Sequence, residues 1–586
     1  MTRIQSRVRA STAAVACALA WTLPARAIAQ SADARLSYER GLAALHLFEY
    51  EDANDAFKQA QTIDPGFAMA YWGEAMTYNQ TLWRREDIGA ARSTLARLGQ
   101  SPAARAAKAT TATEKALIAA VEILFGDGDP EPRHRRYAEA MARVYSQNAG
   151  DPDVAALYGL ALLGTMSRGL IGRQSGEDAH EGHTAGLAGS DVQMRVADIL
   201  RGVLKSHPDH AGALHYLLHD YDDPEHARLG LDAARALARL APDSSHARHM
   251  PSHIFFQLGM WRDAAAADRA AFDTSQAWVT RRKLSAAVRN YHALSWLEYA
   301  LLQRGRYRAA RDTLGELEPV VKATGIVQLL SDLASMRARY AIETRRWDLM
   351  SREQNFANVN DLFAIGVSAA RTHDPYVAER ARHELAARAT SPREGDLRPA
   401  IAIMEREVAA LIELGAGRAG SAIEILQAAA RAELALPPPL GLPEPVKPAP
   451  ELLGEVLLEA GRAREAIEPF EQTLRRHRNR SLSVLGLARA HTALGEMDAA
   501  HARYRELLAN YDEADSDLPE LAEARAALET ATASPSQSRA PSATLMTGIA
   551  IATIAAAAAI IAIRRTRRTK KRPAPRRGPQ KRKPNP

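Results

Sequence analysis

The chain has 586 residues, 46% of them hydrophobic, which is too long for a single core and long enough for several packed units. Its formal net charge of +7 is concentrated at the ends, because residues 1–29 hold four basic residues and no acid, and residues 564–586 hold twelve and no acid. The 60 basic and 69 acidic residues between them give the body a net charge of about −9. An acidic body excludes nucleic acid as a partner, since phosphate backbones bind basic surfaces.

The two ends of the chain predict export and membrane attachment. Residues 1–29 combine a basic start, an apolar stretch and a small-residue cleavage site before Gln30, which is typical of a signal peptide. The only cysteine, Cys17, lies in this segment, so the mature chain would have no disulfide and no thiolate ligand. Residues 545–563 are uncharged and predict a transmembrane helix, with residues 564–586 as a basic cytoplasmic tail. We therefore expect a single-pass protein of the bacterial cytoplasmic membrane with a periplasmic body.

The body begins, in residues 30–150, with a pattern of helical hairpins. Gly41 and Ala53 are small enough for two helices to approach closely, and Phe57 is placed to fill the space between them. Pro65 then ends the second helix, because proline cannot continue the hydrogen-bonding pattern. No strand pattern accompanies these segments, so the sequence predicts an all-α fold.

Residues 151–275 contain a repeat of 34 residues. Three pairs of residues are separated by 34 positions: Pro208 and Pro242, His215 and His249, and His219 and His253. This is the length of a helix–turn–helix repeat. The two histidines of each unit are four residues apart, so a helix places them on one face. Stacked units would bring up to four imidazoles together on neighbouring helices.

Composition and period define the remaining segments. The predicted divisions are a Gly-rich insertion at 167–190, a helical-hairpin solenoid at 276–435, a Pro-rich hinge or strap at 436–450, a repeat pair with a capping helix at 451–530, and a flexible linker at 531–544. In the repeat pair, Ala466 and Phe470 are matched 34 residues later by Ala500 and Tyr504, and Gly454 and Ala488 hold the matching close-approach positions.

The positions of Gly41, Ala53, Phe57 and Pro65, and the repeated 34-residue spacing, resemble the tetratricopeptide-repeat (TPR) family. This resemblance implies a TPR-like α-solenoid, a scaffold that binds protein or peptide ligands in a concave groove. The segments HYLLH, HMPSHIF and KPAPELLGEVLLEAGR are also similar to segments of uncharacterised exported bacterial proteins with such repeats. That likeness implies no activity.

In the TPR family, the second, fifth and ninth places of each repeat usually face the groove. The resemblance therefore implies that His215 and His219 take the fifth and ninth places of one unit, and that His246, His249 and His253 take the second, fifth and ninth places of the next. The predicted groove-lining residues are His246, Tyr216, Asp222, Asp223 and Phe255. We expect a ligand-binding role for them, and the chain as a whole is not expected to be an enzyme.

Two other interpretations of the histidines stay open. Neutral imidazoles four residues apart suit zinc or another divalent metal, so His215, His219, His249 and His253 are candidate ligands. Neither pair forms the HExxH pattern, because HYLLH and HMPSH lack the glutamate, but a metal-dependent hydrolase is included in this alternative. The third interpretation is structural, with the histidines as packing or capping residues. The pattern of a serine nucleophile and the glycine-rich loops that bind phosphate are absent from the sequence.

Overall fold

The computed structural model describes residues 32–166, 191–350 and 358–532. The first helix, α1, occupies residues 32–46. The others are α2 (Tyr50–Ile63), α3 (Ala68–Thr77), α4 (Ile88–Leu98), α5 (Pro102–Ala106), α6 (Ala112–Leu124), α7 (Pro130–Gln147), α8 (Pro152–Leu163), α9 (Asp191–Ser206), α10 (Ala211–Asp220), α11 (Ala227–Leu240), α12 (Ser245–Leu258), α13 (Trp261–Arg282), α14 (Tyr291–Gln303), α15 (Tyr307–Thr324), α16 (Val327–Thr344), α17 (Val359–Arg371), α18 (Pro375–Thr390), α19 (Arg398–Gly415), α20 (Ala419–Leu434), α21 (Ala449–Glu459), α22 (Ala463–Arg476), α23 (Ser481–Ala493), α24 (Met497–Asn510) and α25 (Pro519–Thr532).

The described chain is α-helical apart from one β-hairpin, in which β1 (Asn79–Gln80) pairs antiparallel with β2 (Arg85–Glu86). Three short 3-10 helices lie at Ala286–Val288, Trp347–Leu349 and Pro392–Leu397. Consecutive helices pack against each other along the chain, and most are joined by short turns. The predicted all-α stack of helical hairpins is therefore confirmed in the described part of the chain.

The membrane prediction is wrong. Within the described ranges, none of the helices combines the length and the apolar composition that crossing a bilayer requires. Even the 22-residue α13 carries Arg262, Asp263 and Arg269, because only one side of it is buried. Several sequence predictions fall outside the described residues: the signal peptide 1–29, the insertion 167–190, most of the linker 531–544, the segment 545–563 and the tail 564–586.

The first hairpins close around Phe57, as the sequence predicts. A Cβ atom added to Gly41 would lie 2.7 Å from Cε1 of Phe57, and one added to Gly73 would lie 2.3 Å from the same atom. Phe57 is fully buried, so the two glycines are the places where its ring enters the helix packing. Helices α1, α2 and α3 can approach closely only because both positions lack a side chain.

The same arrangement, an aromatic ring packed against two glycines, recurs near the C-terminal end of the described chain. Phe470 lies between Gly454 and Gly486, where added Cβ atoms would be 2.8 Å and 2.3 Å from its ring. The sequence correctly marks Gly454 as a close-approach position. The second glycine against this ring is Gly486 in α23, and Ala488, at the matching position 34 residues after Gly454, is fully buried in the same helix.

Chain-distant helices also pack together. The end of α1 and the start of α2 lie against α10–α13, where Oγ of Ser244 donates to Glu49 (2.5 Å) and Nε1 of Trp278 donates to Asp52 (3.0 Å). Further along the chain, Nε1 of Trp261 donates to the carbonyl of Asn479 (2.8 Å). These contacts join helices that are about 200 residues apart in sequence.

A buried ion cluster anchors the second of these junctions. Arg480 is fully buried and donates to Glu451 (2.8 Å), Glu343 (2.5 Å) and the hydroxyl of Tyr299 (2.7 Å). Its partners belong to α21, α16 and α14. One guanidinium group thus ties the start of α23 to three other helices.

The Pro-rich segment 436–448 has no regular helix or strand and lies against the helices as a strap. Arg476 donates to the carbonyls of Leu436 and Pro437 at its start (3.1 and 2.9 Å). Leu442 packs on a hydrophobic core that extends from Leu45 to Tyr340, and Val446 belongs to a second core that extends from Ala338 to Leu487. The strap therefore touches both cores.

Candidate metal centre

Among the described residues, two groups of three histidines converge in the helical stack. The first cluster is His215 and His219 on α10 with His246 on α12. The second cluster is His249 and His253 on α12 with His292 on α14. In each cluster the three ring nitrogens lie within 4.8 Å of one another. Helix geometry explains the pairs, since residues four apart lie on one face.

In the first cluster, three Nε2 atoms meet. Nε2 of His215 is 3.0 Å from Nε2 of His246 and 3.1 Å from Nε2 of His219. Nδ1 of His215 is 2.7 Å from the carbonyl oxygen of His46, which can only accept, so this nitrogen carries the proton. Nε2 of neutral His215 therefore offers a lone pair. Burial lowers the pKa of His215 to about 3, which keeps its ring neutral at pH 7.

Aromatic side chains cover the first cluster. The ring of Phe48 is 4.4 Å from that of His215, 5.8 Å from that of His219 and 5.6 Å from that of His246. Trp83, in the β-hairpin loop, lies 5.7 Å from His246. The next residue after Phe48, Glu49, accepts from the backbone N–H of His246, and burial raises its pKa to about 7. These aromatic rings lower the polarity around the cluster, which strengthens electrostatic interactions there.

The second cluster is supported by two buried carboxylates. Nδ1 of His249 is 2.6 Å from Oδ1 of Asp268, and Nδ1 of His253 is 2.8 Å from Oδ2 of Asp222. Both aspartates are buried, with exposed fractions of 0% and 1%. Asp222 also accepts from Nε2 of Gln257 (3.3 Å). Carboxylate–histidine pairs of this kind orient imidazole ligands and increase their basicity at metal sites.

These hydrogen bonds fix the tautomers of two histidines in the second cluster. An ionised carboxylate can only accept, so Nδ1 of His249 and of His253 each donate their proton. The two Nε2 atoms then carry lone pairs, yet they face each other at 3.0 Å. Two lone pairs at that distance repel unless a proton or a metal ion lies between them. Zn–N bonds of about 2.0–2.1 Å place tetrahedral neighbours about 3.3–3.4 Å apart, close to the observed separation.

A third group, His46, His210 and Asp153, has a different character. Nε2 of His46 and of His210 both lie at hydrogen-bond distance from Oδ1 of Asp153 (3.0 and 3.2 Å). Their Nδ1 atoms pair with the hydroxyl of Tyr216 (3.0 Å) and with the backbone N–H of Ala213 (3.1 Å). Burial acts to raise the pKa of Asp153, but the hydrogen bonds from the two histidines bring it below its usual value. Every ring nitrogen here has a hydrogen-bond partner, so the geometry does not call for an ion.

The structure separates the four predicted metal ligands. His215 and His219 belong to the first cluster, whereas His249 and His253 belong to the second. His246, which was assigned to a peptide groove, is a member of the first cluster.

The other predicted groove residues are buried. Tyr216 pairs with His46, Asp222 supports His253, Asp223 accepts from Nδ1 of His226 (2.9 Å) and from Gln193, and Phe255 is 6% exposed.

Three residues that contribute to the two clusters are not identified from the sequence: His292, Asp268 and Phe48. His292 falls outside the 34-residue spacing because α13 has 22 residues where α11 has 14, which shifts the register of α14. Asp268 lies on the second helix of its hairpin, which does not line the groove of a regular repeat. Phe48 reaches the first cluster from 167 residues away along the chain, and no local pattern signals such a contact. Only the irregular length of the segment after His253 could have drawn attention to His292.

No family model and no curated protein matches this chain. Among solved structures, it is similar to a tetratricopeptide repeat protein from Parabacteroides merdae, with 14% identity, 49% of this chain and 97% of that chain covered, and a TM-score of 0.28. It is also similar to the APC/C hetero-tetramer Cut9–Hcn1, with 11% identity, 84% and 76% coverage, and a TM-score of 0.27. The TPR domain of P58(IPK) has 15% identity, 60% and 97% coverage, and a TM-score of 0.20.

Likenesses at these TM-scores carry no argument about what the chain does. The class of protein follows instead from its own helices and side chains. In its described part it is an all-α protein of stacked helical hairpins with two three-histidine clusters between α10, α12 and α14, and in each cluster two of the three histidines are buried. Its function has to be argued from those clusters.

Proposed function

We propose that the protein binds divalent metal ions, zinc being the best match, at its two three-histidine clusters. The observation that supports this most directly is the pair of Nε2 atoms of His249 and His253, which face each other at 3.0 Å while both Nδ1 atoms donate to buried carboxylates. A metal ion satisfies both lone pairs at once and compensates the charge of Asp222 and Asp268. The first cluster repeats the convergence of three imidazole nitrogens.

Three protein ligands leave a fourth position on a tetrahedral ion. In zinc enzymes that position holds water, whose pKa the metal lowers towards 7. Hydrolysis is the chemistry that such a water supports, and it extends the proposal beyond metal storage or structure. Within this chain, the imidazoles would hold the ion, and Asp222 and Asp268 would fix the orientation of the rings in the second cluster.

The test is the metal content of the purified full-length chain after dialysis, measured by mass spectrometry. We expect two equivalents for the wild type, one after His253→Ala and one after His219→Ala. His383→Ala, at an exposed histidine on α18, is the matched control and should retain two equivalents. Retention of both equivalents in the two cluster variants would refute the assignment. So would a wild-type protein that retains no metal after dialysis.

A second candidate function is a protein-interaction scaffold. It is favoured by a cavity of about 290 Å³ between α16, α17, α21 and α23. Apolar side chains such as Ile342, Val367 and Leu452 line it, with Arg371 and Arg489 beside them. A cavity of this size accepts one apolar side chain of a peptide. Val367→Trp should fill it and abolish peptide binding in a fluorescence-polarisation screen, while zinc binding stays intact. Peptide binding that survives this change would exclude the cavity as the site.

A further inference from the structure

The Pro-rich strap lies on the one tryptophan that covers the second cluster. Trp296 is on α14, one helical turn after His292, so the two side chains share a face. Its ring is 4.4 Å from that of His253, 5.2 Å from that of His249 and 5.4 Å from that of His292. Trp296 itself is 2% exposed. The indole thus forms a lid directly on the three imidazoles.

The strap in turn closes over this indole at Gly441. A Cβ atom added there would lie 2.4 Å from Cζ2 of Trp296 and 2.9 Å from Cη2. The backbone of the strap is therefore in van der Waals contact with the edge of the ring, and a side chain would have no room. Leu440, the preceding residue, is 6% exposed and seals the same stretch. Strap, indole and imidazoles form three successive layers.

The strap is held at both ends by polar contacts that lie outside the cluster. At its start, Arg476 donates to the carbonyls of Leu436 and Pro437. At its end, Nζ of Lys447 donates to Glu451 and Glu455, at 2.8 Å each. Between these ends the segment has no regular backbone hydrogen-bonding pattern, since it is neither helix nor strand. Leu442 and Val446 still pack on the two cores, but a segment without the backbone hydrogen bonds of a helix can lift at lower cost than a packed helix.

We propose that the strap is a removable cover that retains a divalent cation in the second cluster. This inference rests on the proposed metal-binding function. With the strap seated, Trp296 is pressed onto the imidazoles and the ion cannot leave. When the strap lifts, Trp296 can move and the ion exchanges with solvent. Metal bound to His249, His253 and His292 fixes the imidazoles against which Trp296 packs, so a loaded cluster also favours the seated strap. The linkage is reciprocal, as it must be for two coupled equilibria.

The experiment measures the rate at which zinc passes from the loaded full-length chain to an excess of a chromophoric chelator. Gly441→Ala introduces the Cβ that collides with Trp296 and changes no ligand. Gly420→Ala is the matched control, because an added Cβ at Gly420 meets no atom within 4 Å. We expect Gly441→Ala to release the second-cluster equivalent about tenfold faster, which corresponds to about 1.4 kcal/mol in the barrier. Gly420→Ala should release at the wild-type rate.

A second variant tests the strap independently, in case Gly441→Ala does not fold. Arg476→Gln loosens the start of the strap and touches neither Trp296 nor the cluster, and it should also accelerate release. His219→Ala, in which only the second cluster is expected to load, assigns the slow phase. Equal release rates for wild type, Gly441→Ala and Arg476→Gln, at unchanged zinc stoichiometry, would overturn the role of the strap while leaving metal binding in place. Absence of zinc from the wild type would overturn both proposals.

Discussion

Asp268 offers the sharpest test of the second cluster. Its Oδ1 accepts from Nδ1 of His249 at 2.6 Å, and its exposed fraction is 0%, so the hydrogen bond is charge-assisted and poorly screened. Loss of such a partner typically lowers metal affinity by about 10–100-fold, which is about 1.4–2.7 kcal/mol. Asp268→Asn keeps an acceptor oxygen and removes the charge, so we expect zinc affinity to fall about tenfold. Asp268→Ala also removes the acceptor, so we expect zinc affinity to fall about 100-fold.

The measurement is a zinc titration of metal-free protein in competition with a chromophoric chelator. Asp273→Asn is the matched control, because Asp273 is on the same helix, its side chain is 62% exposed, and it pairs with Arg269 on the surface. Exposed pairs contribute about 0–1 kcal/mol and should not affect a buried ion. The reasoning would be refuted if Asp268→Asn bound both equivalents as tightly as the wild type, or if Asp273→Asn weakened zinc binding to the same extent.

Three predictions concern stability, each measured by urea or thermal unfolding. Arg480→Met should lose about 3–5 kcal/mol, because Glu343 and Glu451 would remain buried without their partner, whereas exposed Arg475→Met should change little. Glu407 is fully buried, and burial raises its pKa well above the usual value. The stability that the protein has below pH 4 is therefore lost as the pH rises, because the buried carboxyl resists ionisation in the folded state. Glu407→Gln should raise Tm at pH 8 but not at pH 4, and equal shifts at both pH values would contradict this reasoning. Gly486→Ala should lower the free energy of unfolding by about 1–3 kcal/mol, because the added Cβ collides with Phe470. Gly202→Ala, where the added Cβ meets no atom, should raise it by about 0.5–1 kcal/mol by stabilising α9. A larger loss of stability for Gly202→Ala than for Gly486→Ala would contradict the packing argument.

Local patterns predicted the helical hairpins well, because small residues and an aromatic side chain at fixed spacing describe contacts within one hairpin. Gly41 and Phe57 are such a case, and so are Gly454 and Phe470. The 34-residue period also identified four histidines that all belong to the clusters. The period could not show that these four divide between two clusters, since it defines equivalent positions and not distances between helices.

The contacts that complete the clusters come from elsewhere in the chain. His292 is displaced from the period by the longer α13, and Phe48 and the carbonyl of His46 arrive from the first hairpin. Tyr216 and Phe255, which the TPR resemblance places in a groove, are both buried, and Tyr216 contacts His46 and Phe48. Long-range packing of this kind has no periodic signature, so single-sequence reasoning misses it.

The packing of α1 and α2 against α10–α13 has a consequence for how the chain folds. In a simple repeat array each repeat touches only its neighbours, and folding can begin anywhere and spread. Here the carbonyl of His46 must meet His215, 169 residues later, before the first cluster is complete. During synthesis the first cluster therefore cannot form until α12 has emerged from the ribosome. Contacts of such sequence separation slow folding, and we expect the packing of α1 and α2 against α10–α13 to be completed late and not repeat by repeat.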